Sequence, residues 1–355
     1  MNKLTLAVAG GRKTQSIVDE CQAAPADRRI LVLTYTQHNQ QELNQRLNQL
    51  RPLAAEVTVR GWFSFLMGDW VRPYLPRLFQ GKRLRGLNFD GDPGIYVTGA
   101  SRFLDSQNRC YKLHLAKLAV DVKTASNGAV LNRLSRIYDT IYIDEVQDLN
   151  GYDLDVIEAL LQSPINLNLV GDIRQALLMT NVRDPRNKQY KGTAILKWFE
   201  QQVNQGTLEI EHQATTWRCN QPLASFADTI FSSSWGFPPT SSQNLSTSDH
   251  DGVFAVATEH VDAYVTKFNP LCLRHNINSA RSLDLEFMNI ALAKGMGVER
   301  VLIGPTAAIV EFLRSGAVLH ETAACELYVA VTRARASVAF VHDNPATLRL
   351  PIWIP

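Results

Sequence analysis

The sequence has little of what usually settles a protein's class at a glance. Its 355 residues include five cysteines, Cys21, Cys110, Cys219, Cys272 and Cys325, all far apart. No CxxC pair exists and no histidine sits at zinc-ligand spacing from a cysteine, which argues for reduced, buried thiols over a metal site or disulfides. No apolar run is long enough to span a bilayer, so no membrane partner is expected. The formal net charge is only +2. A global basic field that would announce a nucleic-acid partner is therefore missing, and any such binding must come from a local groove. The first ten residues hold one lysine and a short apolar run. Gly10–Thr14 then carries charge where a leader peptide would carry small residues, so the run reads as a buried first strand and the protein as cytoplasmic. No internal repeat is visible.

What is present is ordinary globular material, 45% hydrophobic and 20% charged, enough for two domains with separate cores. Short apolar runs read as buried strands: Leu4–Ala9, Ile30–Thr34, Ile141–Ile143, Leu167–Val170, Pro270–Leu273 and Val301–Ile303. Amphipathic stretches between them read as helices, among them Asn39–Leu50, Asp153–Leu161, Ala280–Leu292 and Ala324–Thr332. The alternation predicts an α/β protein built from doubly wound parallel sheets, with ligands beyond the carboxyl ends of the strands. A first domain over residues 1–210 and a second over 211–355 are expected. An insertion over about 70–135 interrupts the first, and Phe237–Gly252 reads as a surface loop. The insertion begins with a basic, aromatic stretch that includes Arg72, Arg77, Lys82 and Arg83. It would either grip phosphates or form a solvated loop.

Two motifs carry chemistry. After the first strand come Gly10, Gly11, Arg12, Lys13 and Thr14. Glycines let backbone N–H groups wrap phosphates, a lysine reaches the β/γ oxygens, and a hydroxyl serves Mg²⁺. Ala7 and Arg12 stand where a phosphate loop has glycines, so this segment alone reads equally as a turn capping a helix. The second motif, Ile141-Tyr142-Ile143-Asp144-Glu145-Val146-Gln147-Asp148, is an apolar strand ending in acids. Asp144 would hold Mg²⁺ and Glu145 would orient or deprotonate the attacking water.

Asp-Glu-Val-Gln-Asp resembles the Walker B motif of superfamily 1 UvrD/Rep-like helicases, and further motifs follow in the family's order. Ile30–Gln37 resembles motif Ia and Thr58–Phe65 motif Ib, with Trp62 in place of the usual histidine. Val170–Gln175 is similar to motif III, and Thr216–Asn220 to motif IV. Leu271–Asn276 resembles the strand and turn that follow motif IV. Ala293–Glu299 is similar to motif V, with Gly297 where an acid is common, and Glu326–Arg335 closely resembles motif VI. The resemblance runs from Leu4 to Phe340. It implies two RecA-like domains flanking a nucleotide cleft, with ATP and Mg²⁺ as cofactors and single-stranded DNA as partner. It assigns Gln175, Arg218 and Arg333 to catalysis beside Glu145, and strand contacts to Tyr35, Thr36, Trp62, Phe63, Arg274 and Lys294. The lysine of one domain and the guanidinium pair of the other would act on one triphosphate.

The family's adenine-reading glutamine motif has no counterpart upstream of the first strand, and its large accessory insertions are mostly missing. A DNA-stimulated ATPase and translocase is therefore expected more than a processive unwinding enzyme. The second hypothesis is a low-activity, nucleotide- and DNA-sensing subunit of a nuclease complex, as in anti-phage systems of the Gabija type.

Overall fold

The computed structural model describes residues 2–50, 52–281 and 283–355. They divide into two compact units. The first comprises 1–6, 13–171 and 179–211, and the second 7–12, 172–178 and 212–355. Each has a six-stranded sheet.

In the first sheet the strands are β1 (Lys3–Ala7), β2 (Arg29–Thr34), β3 (Glu56–Gly61), β4 (Thr140–Ile143), β5 (Asn166–Gly171) and β6 (Glu209–Gln213). Their order is β3-β2-β4-β5-β1-β6. β2 pairs in parallel with β3 and β4, and β5 pairs in parallel with β4 and β1. Ile30, Leu31, Val32 and Leu33 are all buried. Burial on both faces is what a covered parallel sheet requires, and it explains why β2 reads as a continuous apolar run rather than an alternating one. On one face Ile30 and Val32 pack with Ile17, Val18 and Cys21 of α1 (Lys13–Ala23) and with Leu43 and Leu47 of α2 (Gln37–Gln49). The insertion adds α3 (Leu115–Ala125), anchored by Trp70, whose buried indole donates to Ala119 O at 2.9 Å. α4 (Tyr152–Leu161) follows the acidic motif.

The second sheet holds β7 (Gly252–Ala257), β8 (Leu271–Arg274), β9 (Met288–Asn289), β10 (Val298–Gly304), β11 (Ala334–His342) and β12 (Ile352–Trp353). Their order is β9-β8-β10-β11-β7-β12, with all pairings parallel. Its main core joins Val301, Ile303, Val338 and Phe340 to Leu327 and Val331 of α5 (Glu321–Val331). The protein is thus an α/β molecule with two parallel sheets.

The segments 7–12 and 172–178 belong to the second unit through specific bonds. Val8 N donates to Gln213 O at 3.1 Å and Trp217 N to Gly10 O at 3.0 Å. Thr216 Oγ1 donates to Ala9 O at 2.8 Å. A Cβ on Gly10, whose φ is +72°, would stand 2.5 Å from Arg218 Cβ, so the close approach requires glycine.

The helix expected over Ala280–Leu292 does not form. Ser282 lies outside the described residues; the remainder is turns, β9 and a 3₁₀ turn at Ile290–Ala293. Leu283, Leu285 and Phe287 alternate with Asp284 and Glu286, and those three apolar side chains pack against one cluster with Val256 and Leu302. A period of two suits extended chain, not helix.

Candidate nucleotide site and strand-contact residues

In the first unit the phosphate-loop end and the acidic strand end meet. Lys13 and Thr14 open α1, and Asp144 and Glu145 follow directly on β4. Thr14 Oγ1 donates to Asp144 Oδ2 at 3.2 Å. Lys13 is 9% exposed and Asp144 2%. Burial, reinforced by the neighbouring Glu145 charge, holds the Asp144 carboxyl above the ordinary carboxylate range, and Lys13 opposes the shift. Glu145 is left-handed at φ 55°, ψ 43°, a conformation that costs roughly 1–2 kcal/mol in a non-glycine residue. Its carboxylate accepts a short bond from Gln147 Nε2. Gly171 makes room for that amide, because a Cβ there would stand 2.5 Å from Gln147 Oε1. Strain held by surrounding contacts at a carboxylate motif is a mark of a functional position.

A hydroxyl and a buried carboxylate oxygen at this separation suit a hard cation such as Mg²⁺, which takes one or two protein oxygens and completes its shell with water and substrate phosphate. Among the described residues no group of three or more His, Cys, Asp or Glu side chains could hold a metal by itself. The donor set therefore fits Mg²⁺ delivered with a triphosphate.

The second unit carries a hydrogen-bonded chain. Ala9 N donates to Tyr328 Oη at 3.1 Å, and Tyr328 Oη donates to Asp172 Oδ2 at 3.2 Å. Gln175 Nε2 donates to the same oxygen at 2.7 Å, and Arg333 Nη2 donates to Gln175 Oε1 at 3.2 Å. Burial raises the Tyr328 phenol, which stays a neutral donor. Arg333 is 1% exposed. Its Nε donates to Val329 O at 3.0 Å and its Nη1 to Met296 O at 3.2 Å. Arg218 Nη1 donates to Thr332 O at 3.2 Å. Arg12, exposed and left-handed at φ 56°, lays its guanidinium 4.6 Å from the centre of the Trp217 ring. The left-handed backbone explains why glycine suits this position; arginine adopts it at the cost of strain.

Sequence reasoning gave Tyr328 no role, although it lies inside the Glu326–Arg335 motif. Its hydroxyl joins two segments that the sequence separates. Asp153 was missed as well, and it corrects the reading of Trp62. Trp62 is 1% exposed, and its indole N–H donates to Asp153 Oδ1 at 2.7 Å. A ring so enclosed offers no face for a base, so Trp62 braces the first unit instead of stacking on a strand.

Tyr35 and Phe63 do come together, half-buried, with ring centres 5.8 Å apart, and Lys112 Nζ lies 5.2 Å from the Phe63 ring. Thr36 caps α2, its Oγ1 accepting from Asn39 N at 3.2 Å. In the second unit Arg274 lies over Phe287 at 5.6 Å, and Lys294 is half-buried.

Residues 96–179, from within the insertion through the acidic strand to the end of the motif III segment, match the UvrD/REP helicase N-terminal domain. Over that stretch the chain is similar to the UvrD/REP helicase family. Two solved structures are similar to this chain. One is the Arterivirus nonstructural protein 10 helicase, at 13% identity and a TM-score of 0.48, covering 98% of this chain and 62% of that one. The other is the same Arterivirus helicase in complex with DNA, at 12% identity and a TM-score of 0.48, covering 96% and 61%. This chain spans about three-fifths of the length of these helicases. No curated protein matches its sequence. None of these similar proteins is described as a nuclease subunit or as acting in antiviral defence. None of the described helices is long and apolar enough to cross a membrane.

Proposed function

We propose that the chain is an ATP-hydrolysing motor that moves on single-stranded DNA. The observation that carries the reading is the first unit's cluster, in which Lys13 and Thr14 meet a buried Asp144 beside a strained Glu145. Lys13 would neutralise the β/γ-phosphates. Thr14 and Asp144 would hold the Mg²⁺ that shields them, and Glu145 would orient the attacking water and take its proton. Arg218 and Arg333 would stabilise the charge that develops on the transferred phosphoryl group. Tyr35 and Phe63, with Lys112 beside them, offer stacking faces that accept any base. The chain Ala9–Tyr328–Asp172–Gln175–Arg333 is the element through which occupancy of the phosphate loop would reach the arginine.

ATP hydrolysis measured with and without single-stranded DNA tests this reading. Turnover that DNA stimulates, and that is lost in Lys13→Ala and Glu145→Gln, supports it; turnover indifferent to both substitutions refutes it. One observation favours a second reading, a slow nucleotide- and DNA-sensing subunit. Arg333 is fully enclosed and bonded to carbonyls of its own unit, so it must exchange those bonds before it can serve a phosphate. Negligible turnover with retained DNA binding supports that reading.

A further inference from the structure

The first unit has a cavity of about 310 Å³ that shares no residue with the Lys13–Asp144 cluster. Three stretches of chain line it. The insertion supplies Asp92, Arg102, His114 and Lys117, the start of α4 supplies Tyr152, and the stretch after Met179 supplies Arg183. We propose that this cavity is a second ligand site that takes one nucleotide unit, its phosphate on Arg102, Lys117 and Arg183 and its base against the Tyr152 and His114 rings.

The walls are fixed in place. Asp184, 4% exposed, accepts from Tyr152 N at 3.1 Å and Arg186 N at 2.9 Å, so its charge is engaged by peptide dipoles. Asn181 Nδ2 donates to Leu113 O at 2.7 Å, while Asn150 Nδ2 donates to Asn181 O at 2.6 Å and Asn181 N to Asn150 Oδ1 at 2.9 Å. These bonds tie the insertion, the start of α4 and the later stretch together without ligand. Gly151 permits it, since a Cβ there would stand 2.3 Å from Asp184 Oδ2. A pocket built in advance loses little free energy to ordering when it binds.

The cations of the lining differ in how firmly they are paired. Asp92 meets His114 Nε2 and Arg183 Nη1 only at 3.4 Å. The Arg102 guanidinium makes one long bond among the described residues, to Gly94 O at 3.4 Å. Lys117 is held by Asp121 at 2.7 Å and lies 5.6 Å from the Tyr152 ring. Arg102, Lys117 and Arg183 share the lining with two carboxylates, Asp92 and Asp184, of which Asp184 is taken up by peptide N–H groups and Asp92 is only loosely paired, so Arg102 and Arg183 are the cations an anion would engage. Burial lowers the basicity of His114, leaving its imidazole neutral and suited to stacking. A bare anion would leave both rings unused; an aromatic phosphate ester uses the rings and the cations. That ester has two sources, a free mononucleotide or one nucleotide of a strand.

The test uses full-length protein carrying Lys13→Ala, so that the triphosphate cluster does not contribute. Three probes are titrated: deoxyadenosine monophosphate, inorganic phosphate and an oligothymidylate. Saturable binding of the mononucleotide or the oligonucleotide is expected, with inorganic phosphate weaker. Arg102→Gln with Arg183→Gln should weaken the bound probe about tenfold, as expected for loss of charge-assisted hydrogen bonds. Arg102→Lys with Arg183→Lys should recover most of the loss. Because Arg102 and Arg183 lie at the surface, their thermal midpoint should stay at the parent value; Tyr152→Leu is an independent second variant that should weaken the same probe. The probe that responds identifies the source. Absence of binding by both nucleotide probes, or affinities that none of these variants changes, overturns the proposal. ATP hydrolysis by protein with Lys13 intact is measured separately, so failure of this site and failure of the proposed motor remain distinguishable.

Discussion

The two units treat their charged groups in opposite ways. In the first, Asp144 and Glu145 stand side by side, the first buried and held above its ordinary range, the second strained. In the second, Arg333 is equally buried, yet its guanidinium bonds to Val329 O, Met296 O and Gln175 Oε1. Two adjacent acids with one buried lysine form an arrangement that a divalent cation and a phosphate chain would stabilise. A saturated guanidinium stabilises the protein as it stands and must reorganise to do anything else. The difference teaches that under the proposed reading the first unit would bind the nucleotide as it stands, while the second unit's arginine would have to leave a network before it could act.

The most forceful way to break this contrast is to remove the first unit's chemistry. Lys13→Ala and Glu145→Gln should each lower ATP turnover by about 100-fold or more, measured as steady-state phosphate release, with folding intact by circular dichroism. Removing the reserved arginine should act on stability as well as on activity. Arg333→Ala leaves two carbonyls and Gln175 without their donor, and should cost about 3 kcal/mol in denaturant unfolding. If turnover falls while stability is unchanged, the network is not structural.

A third prediction sharpens the comparison within the second unit. His250 is stacked 4.0 Å from Phe254 and 4.2 Å from Phe268, and its Nε2 meets Tyr264 Oη at 2.9 Å. Burial, with Arg300 and Lys267 nearby, lowers its pKa to about 4. The folded state then binds the proton less readily than the unfolded state does. This contribution to stability is complete above about pH 6.5 and is lost as pH falls toward 4, amounting to at most roughly 3 kcal/mol. Denaturant midpoints across that range should fall in the parent and fall less in His250→Phe. The smallest effect is expected at Arg12. Arg12→Gly removes left-handed strain and a cation–π contact, terms of about 1 kcal/mol each that nearly cancel. Stability should hardly move, while turnover should rise severalfold as the backbone gains freedom to approach phosphate.

The parallel sheets were legible because buried strands such as Ile30–Thr34 are continuous apolar runs, and the position of Asp144 and Glu145 just after a strand was legible because Ile141–Ile143 is such a run. The expectation of a helix over Ala280–Leu292 overlooked the alternation of Leu283, Leu285 and Phe287 with Asp284 and Glu286, whose period of two suits extended chain. The burial of Trp62 was not legible, because its partner Asp153 lies 91 positions away. The same holds for Tyr328, whose partners Asp172 and Ala9 are brought to it by folding alone.

The most direct measurement is equilibrium binding of Mg²⁺-ATP to the parent protein, Glu145→Gln and Lys13→Ala, set beside their turnover. The account predicts that Glu145→Gln binds as the parent does but fails to hydrolyse, and that Lys13→Ala fails to bind. Undiminished binding by Lys13→Ala, or parental turnover by Glu145→Gln, would contradict it.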